Sequence, residues 1–256
     1  MITTILLDLD DTILTDDPAS EIAFAKTAAL VPHLDEHQLI TAAKDAANRG
    51  FLESPFPEWL IEIGTGPLEL LRARFEGDHP NWAIMREWGP GYRLRTWQQA
   101  LAASGVGDDD LAAQLDASFE RERGEANPYC DGAEAALAEL ADNYRLGMVT
   151  NGIPDVQWHK IRATGIAPMF DVIAVSGEVG YGKPDPKIYG WVMEQMGIAP
   201  EEAIMVGDNW RRDAIGPQEL GIRGVWISMG RPAPDDRQPW LVIESLAELP
   251  AILGRK

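Results

Sequence analysis

Three consecutive apolar residues, Ile5-Leu6-Leu7, run directly into Asp8-Leu9-Asp10-Asp11-Thr12. That break limits the possible folds more than any other stretch of the chain. A strand from Thr3 to Leu7 with no polar alternation buries both of its faces, which is the pattern of a central parallel strand covered by helices. Ligands in open parallel sheets bind outside the carboxyl ends of the strands. The acids after Leu7 therefore stand where a site is expected.

The rest of the chain fits that frame. From about Ala19 to about Asn127 the pattern is helical. Ile22, Ala25, Ala29 and Leu30 recur at helical spacing, Asp35 can cap a helix carrying Leu39, Ile40, Ala43 and Ala47, and Leu111, Leu115 and Phe119 share a face behind Asp108-Asp109-Asp110. Pro55, Pro57, Gly64, Gly66, Pro80, Gly89 and Pro90 are expected to cut this region into short pieces. After Pro128 strands and helices alternate: a helix capped by Asp131, a strand at Leu146–Thr150, a helix around Val156–Thr164, a strand at Val172–Val175, a helix at Pro186–Met196, a strand at Ala203–Val206, a helix over about Arg212–Leu220, a strand at Gly224–Ile227, an edge strand at Trp240–Ile243 and a helix from Ser245. Such alternation implies βαβ units and a parallel sheet. The first strand lies far more residues from the second than a crossover requires. The expected fold is therefore an α/β, Rossmann-like parallel sheet flanked by helices, with residues 1–18 and 128–256 forming the core and residues 19–127 an inserted helical domain.

Four polar clusters fall at strand ends: Asp8 to Thr12, Thr150-Asn151-Gly152, Lys183 within Gly182-Lys183-Pro184, and Gly207-Asp208-Asn209 with Asp213 beyond. Phosphoryl transfer needs such a set. Converging carboxylates repel one another unless a hard cation lies between them, and Mg2+ suits carboxylates, a backbone carbonyl and a phosphate oxygen. A carboxylate can attack phosphorus and form an aspartyl-phosphate, while Thr150 and Lys183 can hold the transferring group. A second carboxyl at Asp10 can protonate the leaving oxygen and later activate water.

With these residues the chain resembles the haloacid dehalogenase (HAD) superfamily. Asp8-Leu9-Asp10-Asp11-Thr12 matches D-x-D-x-T, Thr150 and Lys183 match the second and third motifs, and Gly207-Asp208 with Asp213 matches G-D-x-x-x-x-D. The helical insertion stands where that superfamily carries its cap. The resemblance implies that Asp8 is the nucleophile and Asp10 the general acid/base. It implies that the side chains of Asp8 and Asp208 and the carbonyl of Asp10 ligate Mg2+. Thr150, Lys183, Asn151 and Gly152 would bind phosphate, and Asp213 would orient Lys183 or the metal waters. Asp10 favours a phosphatase over a dehalogenase, which lacks that acid. Asp11-Thr12 resembles the phosphatase form rather than the phosphomutase form, and neither Lys26 nor Lys44 stands out as a Schiff-base lysine. The expected reaction is hydrolysis of a small phosphorylated metabolite, a sugar phosphate or a nucleoside monophosphate. The alternatives are a phosphotransferase or phosphomutase, a 2-haloacid dehalogenase-type hydrolase, and a non-catalytic phosphometabolite-binding protein.

A net charge of −19 argues against a nucleic-acid polymer or an acidic membrane as partner. No apolar run reaches the roughly 20 residues that span a bilayer. The absence of a secretory pattern and the single cysteine, Cys130, suggest the cytoplasm, and the chain is expected to be a monomer or homodimer. Cys130 reads as a buried small apolar residue. Trp59, Trp82, Trp88, Trp97 and Tyr92 in the insertion read mainly as core, and Arg93 and Arg95 are candidates for contact with substrate. His33, His37, His79 and His159 share no metal-ligand spacing.

Overall fold

The structure, a computed structural model, describes residues 1–254. Its sheet has six strands, β1 (Thr4–Leu7), β2 (Arg145–Thr150), β3 (Val172–Val175), β4 (Ala203–Gly207), β5 (Arg223–Ile227) and β6 (Leu241–Ile243). They are all parallel and lie in the order β3-β2-β1-β4-β5-β6. β1 is central: Leu7 pairs with Met148 on one side and Val206 on the other. The strand order reverses there, so its carboxyl end is the switch point at which such sheets bind ligands. Ile5, Leu6 and Leu7 are fully buried, as their lack of alternation requires. β6 is the edge strand, with Val242 exposed.

The helices are α1 (Asp17–Ala28), α2 (Glu36–Leu52), α3 (Pro57–Glu62), α4 (Pro67–Leu70), α5 (Pro80–Ala103), α6 (Asp109–Glu125), α7 (Ala133–Asn143), α8 (Pro154–Thr164), α9 (Ser176–Val179), α10 (Pro186–Met196) and α11 (Leu249–Leu253). The chain divides into two compact units. One comprises Met1–Asp16, Pro128–Asn151 and Ile161–Lys256; the other comprises Asp17–Asn127 and Gly152–Lys160. The second unit is wholly helical among the described residues and is built around Phe24, Phe75, Trp82, Tyr92, Trp97 and Phe119, each at most 1% exposed. Ile153 and Val156 belong to the same apolar cluster.

Several local expectations are corrected. Gly89 and Pro90 do not end a helix; they lie inside the 24-residue α5. A proline in a helix interior costs about 3 kcal/mol. α5 also buries Trp82, Met85, Tyr92 and Trp97, each worth about 1.5–3 kcal/mol, so packing outweighs the break. Gly89 is required there, because a Cβ would run into the Phe75 ring. α1 turns inward a different face from the one expected: Ile22, and Leu30 just past the helix end, are exposed, while Ala23, Phe24, Thr27 and Ala28 are buried. Asp131 does not cap α7. The cap position is Gly132, at φ +71°, with no side-chain bond. Arg212–Leu220 is not one α-helix but a π-helical turn over Trp210–Ile215 followed by a 3-10 turn over Gly216–Leu220. Cys130 is only half-buried.

Candidate active site

In the first unit, the loops after β1 and β4 and the loop between α9 and α10 bring Asp8, Asp208, Asp213 and Lys183 together. Asp8 follows β1, Thr150 closes β2, Lys183 lies in the loop between α9 and α10, and Asp208 and Asp213 follow β4. Lys183 is the hub. Its Nζ lies 2.8 Å from Asp8 Oδ1 and 2.7 Å from Asp213 Oδ1, with only 1% of its side chain exposed. A buried ammonium is tolerable only when paired. Burial pulls its pKa down, but the charges of Asp213 and Asp8 and their hydrogen bonds outweigh this, so Lys183 stays protonated.

The lysine is also fixed through its main chain. Asn151 Oδ1 accepts from the Lys183 N–H at 2.7 Å, and Asn151 Nδ2 donates to the Lys183 carbonyl at 2.9 Å. The Asn151 carboxamide therefore clamps the lysine loop. Thr150 is fully buried at the end of β2.

Asp8 accepts both the Leu9 N–H, at 2.8 Å, and the Lys183 ammonium on the same oxygen, Oδ1. Burial pushes its carboxyl up to about 6, with Lys183 opposing and Asp213 adding to the rise. Burial, Asp8 and Asp213 push Asp208 up to about 7, against a hydrogen bond from Arg231. Asp8, Asp208 and Asp213 each offer a carboxylate oxygen within 4.8 Å of the others. This all-oxygen set suits a hard divalent cation, whose charge would offset the burial, and the lesser repulsion, that raise both carboxyls. Asp213 fits the ligand role least well, because both its oxygens are engaged: Oδ1 by Lys183 and Oδ2 by the Asn209 N–H at 3.0 Å. Gly207 permits this, since a Cβ there would run into the Asp213 carboxyl.

Asp10 is half-buried and itself forms an isolated bridge with Leu14. Asp11 adopts φ +52°, accepts the Asp16 N–H at 2.8 Å and donates its own N–H to Leu14 O at 2.7 Å, which makes it the pivot of the turn after β1. Gly152 falls with the second unit, at φ +149°, where a Cβ would lie 2.6 Å from Glu69 Oε1.

Three contacts to Asp208 were not apparent in the sequence, although Thr12 itself stands in the first motif. Thr12 Oγ1 accepts the Asp208 N–H at 3.1 Å, Trp226 Nε1 donates to the Asp208 carbonyl at 2.9 Å, and Arg231 reaches the Asp208 carboxylate at 3.2 Å. The last two sit in and after β5, next to β4. An arginine just past an apolar strand was their one sequence signal. Trp82, Trp97 and Tyr92 are core residues, each 1% exposed. Arg93 reaches Asp116 and the Ala73 carbonyl.

The family model for haloacid dehalogenase-like hydrolases matches residues 2–221. The phosphoserine phosphatase of Thermus thermophilus is 38% identical over 247 residues, covering 96% of each chain. A glyceraldehyde 3-phosphate phosphatase of Methanopyrus kandleri is 27% identical, covering 97% of this chain and 96% of its own. Among solved structures, the magnesium-bound HAD hydrolase YfnB of Bacillus subtilis shares the fold at a TM-score of 0.67, with 24% identity and 98% of each chain covered. With its parallel sheet, its helical insertion and its four motifs, the chain belongs to the haloacid dehalogenase-like hydrolases.

Proposed function

We propose that the chain is a Mg2+-dependent phosphatase that hydrolyses a small phosphorylated metabolite through an aspartyl-phosphate on Asp8. The observation that carries this is the one-sided bonding of the Asp8 carboxylate. Lys183 and the Leu9 N–H both hold Oδ1, which leaves Oδ2 as the attacking oxygen. The phosphatases among the relatives support the same reaction class.

In the first step Asp8 Oδ2 bonds to phosphorus, the ester P–O bond breaks, and Asp10 gives its proton to the leaving oxygen. In the second, Asp10 takes a proton from water, the hydroxide attacks phosphorus, and the Asp8 acyl–phosphate link breaks to release inorganic phosphate. Lys183 and Thr150 hold the equatorial oxygens, where charge accumulates. The side chains of Asp8 and Asp208 and the carbonyl of Asp10 would hold Mg2+, which when bound supplies charge neutralisation at the phosphoryl group. Asp213 keeps Lys183 aimed at Asp8. The helical unit serves as the cap and sets the substrate.

The test is a panel of phosphomonoesters led by phosphoserine, with glyceraldehyde 3-phosphate, other sugar phosphates and nucleoside monophosphates, scored by kcat/KM with Mg2+ present. Asp8→Asn is expected to lower phosphate release from p-nitrophenyl phosphate by at least about 10³-fold, and chelation of the metal to abolish it. Wild-type protein that turns over no phosphomonoester with Mg2+ present would sink the proposal.

A further inference from the structure

Arg231 lies in the loop after β5, half-exposed, where an ordinary surface arginine would extend into solvent. Its guanidinium instead turns back onto the strand ends. Nε donates to the Ser228 carbonyl at 2.9 Å, and Nη2 reaches the Asp208 carbonyl at 2.9 Å, the Ile227 carbonyl at 3.2 Å and Asp208 Oδ2 at 3.2 Å. The loop reverses direction to deliver it. Met229 and Gly230 both take left-handed conformations, at φ +49° and +73°. The Arg231 N–H closes the turn on Ser228 O at 2.9 Å. A left-handed residue other than glycine costs about 1–2 kcal/mol, so the turn at Met229 is maintained against local preference.

Two features separate this contact from a surface ion pair, which contributes little. First, three main-chain carbonyls seat the guanidinium, so its position does not depend on the carboxylate it touches. Second, the backbone of Asp208 is held on both sides, its N–H by Thr12 and its carbonyl by Trp226 and Arg231. Arg231 is the partner that reaches the side chain. Resting on the reading of Asp208 as a metal ligand, we infer that Arg231 is a positioning residue. It holds one oxygen of Asp208 against a fixed fork and so presents the other to a divalent cation in a single orientation. Lysine cannot do the same, because a point charge on a flexible stem lacks the planar fork.

The experiment is a calorimetric titration of the full chain with Mg2+ in the absence of substrate, comparing wild type, Arg231→Gln, Arg231→Lys and Asp208→Asn, with thermal midpoints of the metal-free proteins measured alongside. Loss of an outer partner of a metal ligand costs 10- to 100-fold in affinity. Both arginine variants are expected to weaken Mg2+ binding by about tenfold, with midpoints close to wild type. Unchanged affinity in both variants overturns the proposal. So does tighter binding by Arg231→Gln with Arg231→Lys unchanged, which is the signature of charge alone. Should Arg231→Gln fail to fold, Arg231→Lys decides the matter by itself. Asp208→Asn binding Mg2+ as wild type does overturns the reading of Asp208 as a ligand, and with it this proposal; loss of binding in Asp208→Asn alone overturns only the role of Arg231.

Discussion

Lys183 carries its charge where solvent cannot stabilise it, and two carboxylates replace the water. Removing Asp213 would leave the buried ammonium with Asp8 alone and orphan the Asn209 N–H. It would also relieve repulsion at Asp8 and Asp208, but the lost contact is the closer of the two lysine pairs. Breaking a buried pair by deleting one partner costs about 3–5 kcal/mol. Asp213→Ala is accordingly expected to lower the unfolding free energy of the metal-free protein by about 3 kcal/mol in urea titrations, and Asp213→Asn, which keeps an acceptor for Asn209, by less. At this scale the sequence disclosed the polar residues that the structure gathers, Asp8, Lys183, Asp208 and Asp213, and placed Thr150 at the end of its strand. It singled out Asn151 and Thr12 within the motifs but did not disclose whom they touch. Asn151 clamps a loop 32 positions away, and Thr12 meets Asp208 across 196 positions. No local pattern encodes a partner at such separation.

Between α5 and α6, Arg93 Nε faces Asp116 Oδ2 at 3.6 Å, too far for a full charge-assisted bond. Burial pushes the Asp116 carboxyl up to about 6, with Arg93 opposing and Glu120 adding to the rise. A folded-state pKa above that of the unfolded chain stabilises the fold below the unfolded value, about 4, and that stability is lost as pH rises through about 6. Asp116→Asn is therefore expected to flatten the pH dependence of stability between about pH 4 and 7 and to raise stability by about 1–3 kcal/mol at pH 8, measured by denaturant melts across that range. The elements themselves were legible wherever apolar residues formed unbroken runs, because a buried strand admits no polar alternation. β3 and α10 have the expected limits, Val172–Val175 and Pro186–Met196. The inward face of α1 was not legible. It is built from one aromatic and several small side chains, with Phe24 against Trp97 and Phe119 at ring centroid distances of 6.1 and 4.5 Å. Size complementarity, not hydrophobic amplitude, decides which way that helix turns.

Across the whole molecule, 41 acidic residues face 22 basic ones. Ion pairs such as Lys26–Glu122 and Lys44–Glu21 lie at the surface with one partner exposed and contribute little, so net self-repulsion dominates the response to salt. Raising NaCl from about 10 to about 200 mM shortens the screening length from about 30 Å to under 10 Å. In chelated buffer this is expected to raise the thermal midpoint by about 2–4 °C, and a fall in scanning calorimetry would contradict it. No described helix is long and apolar enough to cross a membrane. The division of the chain has a further consequence. Residues 152–160 belong with the helical unit: Ile153 and Val156 lie in its apolar cluster, and Asp155 accepts the Arg74 and Glu76 N–H groups at 2.8 and 3.1 Å. Yet α8 continues through Thr164, and its last turn belongs to the sheet-bearing unit. The insert between the first two strands is thus not a transplantable part. A chimera that exchanges residues 17–127 for another helical module inherits a foreign half-helix whose apolar side and carboxylate were shaped for the module removed, so the module cannot be exchanged without rewriting the first two turns of α8.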